Sequence, residues 1–128
     1  MWIAITIYAI QVLNVLSRKY TGQTYSTDRQ SPTFLHEPPS RHEFLNNSGA
    51  VIPCTAFGNP SPVIRWQNED GTPAIDIPGL RHVRLDGSLV FQHFRADQYR
   101  QDVHAATYRC TASNVMGTIA SRDVHVAA

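Results

Sequence analysis

An all-β fold, a two-sheet sandwich closed by one inter-sheet disulfide, is what this sequence predicts. Three observations carry that reading. From Pro32 onward, short apolar runs are broken by Pro, Gly, Asn and Asp at intervals of about ten residues, the rhythm of a sandwich or barrel. Within those runs the apolar residues alternate, so they share one face of a strand. Cys54, Trp66 and Cys110 stand at the spacings at which strands of opposite sheets present facing cysteines and a tryptophan packs on the bridge. Tyr108, two residues before Cys110, occupies the tyrosine-corner position, whose hydroxyl bonds back to the preceding loop.

The elements follow in order. Thr33 to Glu37 reads as an edge strand that ends or jumps at Pro38-Pro39, because proline cannot donate to a ladder. A second edge piece is expected from Arg41 to Leu45. Ala50, Ile52, Cys54 and Ala56 share the inward side of the next strand. Pro53 interrupts that strand, so either its nitrogen points away from the neighbour or the strand is distorted there. Ile64 and Trp66 point inward after the Gly58-Asn59-Pro60-Ser61-Pro62 turn, Leu89 and Phe91 after Asp86-Gly87, and Tyr108, Cys110 and Ala112 on a later strand. The last strand follows Asn114-Val115-Met116-Gly117 and runs to Val126; Ile119 is out of step with Val124 and Val126, which predicts a bulge between them. No helical periodicity competes with these strands.

With 128 residues the chain has room for a single domain, expected over 32–126. Met1 to Leu16 is mostly apolar, with Gln11 and Asn14 its most polar members, and is shorter than the ~20 residues that cross a bilayer. That length fits a signal-peptide core, although no Lys or Arg precedes it and no A-x-A site is obvious before Gln23 or Thr27. A signal anchor and a mis-assigned first exon are the other readings. Residues 17–31 are polar and turn-forming and read as a disordered lead-in. Two cysteines alone fit either a reduced or an oxidised compartment. If Cys54 and Cys110 are joined, 56 residues apart, the bond restricts the unfolded chain by about 4 kcal/mol in the entropic model.

Two longer stretches narrow the reading. Cys54-Thr-Ala56-Phe-Gly58-Asn-Pro60-Ser-Pro62-Val-Ile64-Arg-Trp66 and Tyr108-Arg-Cys110-Thr-Ala112-Ser-Asn114-Val-Met-Gly117 resemble the intermediate-set (I-set) immunoglobulin domains of neural adhesion receptors. Ile77-Pro78-Gly79-Leu80-Arg81, Asp86-Gly87-Ser-Leu89-Val90-Phe91, the linker from Phe94 to Ala105 and Ser121-Arg122-Asp123-Val124-His125-Val126 are similar to the first immunoglobulin domain of the arthropod Dscam (Down syndrome cell adhesion molecule) family. The resemblance covers roughly Ser31 to Val126. It implies a type I membrane receptor whose amino-terminal domains form a horseshoe and bind an identical receptor on another cell, in axon guidance and dendrite self-avoidance. It also implies neighbouring immunoglobulin domains in the same chain and a first domain that is largely a structural end. A chain ending at Ala128 then looks like a piece of a longer receptor. Many relatives of the wider superfamily place an aspartate four residues before the corner tyrosine, where this chain has His104, with Asp102 two residues earlier. A salt bridge based on that aspartate is not expected.

The function expected is therefore protein binding at the extracellular face of a plasma membrane. The alternative is a secreted immune-type immunoglobulin protein with a heterologous ligand. A net charge of +1 and ten dispersed arginines give no nucleic-acid footprint. The histidines at 36, 42, 82, 93, 104 and 125 form no metal-ligand motif, and no nucleophile elbow or phosphate loop is present, so neither an enzyme, a cofactor nor a small-molecule substrate is expected.

Several residues are singled out. Cys54 and Cys110 form the bridge, and Trp66, Leu89 and Tyr108 form the core signature. Arg65, Arg109 and Arg122 are expected to point outward from the later sheet, where a guanidinium can meet a partner; a solvated sheet face is the plainer reading. Arg95 and Arg100 can instead pair internally with Asp97 or Asp102, and Phe94 and Tyr99 are expected to plug one end of the sandwich. Asn46-Asn47-Ser48 is the usable glycosylation sequon, because Asn59-Pro60-Ser61 carries a proline in the middle.

Overall fold

The computed structural model describes residues 28–128, and residues Ser31–Ala128 form one compact unit. The expected leader over 1–16 and most of the lead-in lie outside the described residues. Gln30 and Ser31, placed in the lead-in by the sequence, already belong to the first strand.

Among the described residues ten strands run in chain order: β1 Gln30–His36, β2 Arg41–Glu43, β3 Ala50–Ile52, β4 Thr55–Asn59, β5 Val63–Asn68, β6 Arg81–Val83, β7 Leu89–Phe91, β8 Thr107–Asn114, β9 Gly117–Ala120 and β10 Val124–Ala127. The strands pair as three sheets instead of the expected two: β1-β4 and β3-β7-β6, which the break at Pro53 separates within the first layer, and β2-β10-β8-β5 with β9 also on β8, which is the second layer. The chain leaves the first layer after β1, passes the buried Pro38 and enters the second as β2, which pairs in parallel with β10. That crossing falls where two prolines end the first ladder.

Pro53 resolves in favour of distortion. β3 stops at Ile52 and pairs with β7, whereas β4 starts at Thr55 and pairs with β1. The missing proline donor thus marks where one strand changes partners. The predicted bulge late in the chain takes a related form, since β9 and β10 both pair with β8 but are separated by Ser121–Asp123. Ser121 fills the gap: its N–H donates to the Cys110 carbonyl at 2.7 Å, and its hydroxyl accepts from the Cys110 N–H at 2.9 Å.

Ile52, Cys54, Trp66, Leu89, Phe91, Tyr108, Cys110, Val124 and Val126 form the buried core between the layers. Phe91 lies between Phe44 and Tyr108, with ring centroids 5.4 and 5.6 Å away. The linker before β8 departs from the all-strand expectation. Ala96–Gln98 forms a 3-10 turn, and Gln101–His104 forms a single helical turn, α1. A four-residue helix is too short to show a 3.6-residue period, so the sequence carries no sign of it.

Candidate recognition surface

The bridge that holds the layers together is formed between Cys54 and Cys110, with Cα atoms 6.6 Å apart. Trp66, which lies opposite Cys110 in the β5–β8 register, is 3% exposed, and its indole N–H donates to the Gly87 carbonyl at 2.7 Å. Leu89 is fully buried on β7. Gly87 holds the approach to Trp66 open: its φ is +93°, and a Cβ there would lie 2.9 Å from Ile64 and 3.0 Å from the Cys54 carbonyl oxygen. Only glycine enters that conformation without strain.

The Tyr108 hydroxyl donates to the Val103 carbonyl at 2.8 Å, which ties β8 to α1 in the tyrosine-corner manner. The same oxygen accepts from Arg81 Nη1 at 3.0 Å, while Arg81 Nη2 donates to the Ile75 carbonyl at 2.7 Å. Arg81 is 4% exposed, its guanidinium carbon lies 5.4 Å from the Tyr108 ring centre, and its Nε has no hydrogen-bond partner among the described residues. Sequence reasoning missed this buried cation. Asp102 pairs with Arg100 at 2.6 Å instead of with Arg81, so the aspartate-based bridge of the wider superfamily is replaced here by neutral acceptors and an aromatic face.

His104 takes the vacated aspartate position as an apolar plug. It is fully buried and stacks on Phe94 at 3.9 Å. Its Nδ1 accepts the Arg100 N–H at 2.9 Å, and its carbonyl accepts the Ala128 N–H at 2.9 Å. Burial pushes its imidazole below the ordinary histidine range. Phe94 is buried as expected of an end plug, but Tyr99 stays 45% exposed and covers only the outer side of His104. The plug is thus Phe94 with His104.

The outward face of the second layer follows from the register. Arg65 lies opposite Thr111, Gln67 opposite Arg109, and Thr111 opposite Ala120, so these residues share one side of the sheet. The three singled-out arginines are not equivalent there. Arg109 Nη2 and Nε donate to Asp123 Oδ1 at 2.8 and 3.0 Å. Arg122 leaves the sheet face altogether, because the break at Ser121–Asp123 turns it toward the crossing after β1. There its N–H donates to Glu37 Oε2 at 2.7 Å, and its guanidinium meets Oε1 at 3.2 Å. These bonds hold the Glu37 carboxyl below the usual carboxylate range. Arg65 is exposed on the β5 edge with no ion pair within the described residues. Arg95 pairs with Asp97 at 3.1 Å, so both linker arginines pair internally.

Asn46 sits in the exposed turn between β2 and β3. Its side-chain amide donates to the Phe94 carbonyl at 3.1 Å. An open cleft of about 1150 Å³ lies between the loop after β5 and the linker, with Glu69, Asp70 and Asp102 beside Arg81 and Arg100. Among the described residues no three His, Cys, Asp or Glu side chains are grouped to hold a metal, and no helix is long and apolar enough to cross a membrane.

A disulfide between facing layers, a tryptophan against it, a tyrosine corner and a patterned outer sheet face define an immunoglobulin-type binding module. The immunoglobulin-domain family model matches residues 31–114, and the chain belongs to that family. Within the family the likeness is to Dscam. The chain is 48% identical to the cell adhesion molecule Dscam1 of Drosophila melanogaster over 94% of its length and spans 6% of that protein. The crystal structure of Dscam1 isoform 1.9, comprising the N-terminal four Ig domains, superposes with a TM-score of 0.76 at 54% identity, covering 78% of this chain and 26% of that one. A chain solved as the structural basis for Dscam isoform specificity superposes with a TM-score of 0.75 at 54% identity, covering 77% of this chain and 26% of that one.

Proposed function

We propose that this chain is a cell-adhesion domain of a Dscam-like neural receptor, displayed at the extracellular face of the plasma membrane and supporting homophilic binding between cells. The observation that carries the reading is the similarity to a cell adhesion molecule along nearly the whole chain, with the N-terminal four Ig domains of that molecule superposing on 78% of it. The site supports it in kind, since a rigid sheet face with polar and cationic side chains suits protein contact. Of the three arginines singled out, Arg65 is the one available to a partner, because the guanidinium groups of Arg109 and Arg122 already serve their own chain. Neighbouring immunoglobulin domains of the same receptor complete the binding unit. Sedimentation of a soluble ectodomain containing this chain tests the proposal: concentration-dependent self-association is expected, and a monomer at every concentration would overturn it.

A further inference from the structure

The turn between β2 and β3 carries a chemical handle that the adhesion reading leaves unused. Asn46-Asn47-Ser48 is the one Asn-x-Ser/Thr run of the chain without a central proline, and all three residues are exposed. The turn is closed from below, with the Ser48 and Gly49 N–H groups both donating to the Leu45 carbonyl at 3.1 Å. Its other anchor is Phe94, whose N–H donates to the Asn46 carbonyl at 2.9 Å while the Asn46 amide donates to the Phe94 carbonyl. Both anchors act on the backbone or use a single amide N–H.

We propose that Asn46 is an N-glycosylation site whose glycan covers the β2 end of the second sheet. In the transfer, the amide nitrogen displaces the pyrophosphate of a lipid-linked oligosaccharide at sugar C1. One N–H bond becomes N–C, its proton passes to a base, and the C–O bond to pyrophosphate breaks. One N–H remains on the amide, enough for the single donation toward Phe94, so the modified side chain is compatible with the turn.

The position gives the glycan a use. Among the described residues β2 pairs with β10 on one side only and is therefore an edge, and Leu45 beside the turn is 68% exposed. An unprotected edge with an apolar neighbour invites pairing with another sheet, which a bulky hydrated group prevents. The strand order β2-β10-β8-β5 puts Arg65 at the opposite edge, so the glycan leaves that face clear.

The test is to express the full chain in a eukaryotic cell behind a cleavable secretion leader. The secreted protein is deglycosylated with peptide-N-glycosidase in heavy-oxygen water, and the peptide spanning Asn46 is read by mass spectrometry. Heavy-oxygen aspartate at position 46 is expected, lost in Ser48→Ala and kept in Ser48→Thr. Ser48→Ala removes the hydroxyl's donation to the Leu45 and Gly49 carbonyls but neither partner of the Asn46–Phe94 contact, so loss of label in variant protein secreted at the wild-type level reports the sequon and not a failure to fold. Unmodified Asn46 in secreted wild-type protein would overturn the proposal. The shielding role predicts more self-associated material for Ser48→Ala than for Ser48→Thr at equal concentration, and identical elution profiles would remove it.

Discussion

Tyr108 serves two neighbours through one oxygen, donating to Val103 and accepting from the buried Arg81. Tyr108→Phe leaves a carbonyl and a guanidinium N–H without partners in the core. It should therefore cost about 1–3 kcal/mol in urea unfolding, more than its lost contact area alone. His104 makes the domain sensitive to acid. Its Nδ1 is an acceptor for the Arg100 N–H, so protonation there sets two donors against each other, and burial already opposes the charge. A histidine held neutral in this way has its folded pKa below the unfolded value of about 6.5. Its contribution to stability is complete above that pH and is lost as pH falls toward the folded value. Thermal unfolding followed across this window should show a steeper acid loss for the wild type than for His104→Gln. Trp66 and Tyr108 were legible because each sits at a fixed spacing from a cysteine. Arg81 was not, because its partners lie 6 and 27 residues away and no local pattern reports such contacts.

Elements are bounded here by the residues that cannot continue them. Pro53 and the Ser121–Asp123 break both fall where a strand changes its partner or its register, and both irregularities could be read from the sequence through a missing donor and a lost alternation. The consequence of the second break could not, since only the folded register shows that it sends Arg122 to Glu37. Being exposed, that pair contributes little, and Arg122→Ala should shift stability by less than about 1 kcal/mol. Gly87 is the opposite case. Gly87→Ala forces a Cβ against Ile64 and the Cys54 carbonyl at a positive φ, so a loss of about 1–3 kcal/mol is expected in the same urea assay. Gly79→Ala, at a similar φ of +82° with open space around it, should lose less. The linker turns stayed hidden for want of length, although the pairings of Arg95 and Arg100 with carboxylates two residues on were visible in the chain itself.

At the scale of the molecule, the Cys54–Cys110 bond closes a 56-residue loop and joins the two layers at a fully buried point of the core. Replacing both cysteines with alanine should remove about 4 kcal/mol, visible as a lowered midpoint in denaturant. The module that results suits the adhesion role proposed above, where a sheet face must keep its shape under contact, and the proposal's central claim is self-recognition. Two-colour bead sorting tests that claim most directly. Beads of one colour carry the ectodomain containing this chain, and beads of the other carry an unrelated immunoglobulin ectodomain. The account predicts clusters of the first colour alone; dispersed beads, or clusters that mix both colours equally, would contradict it.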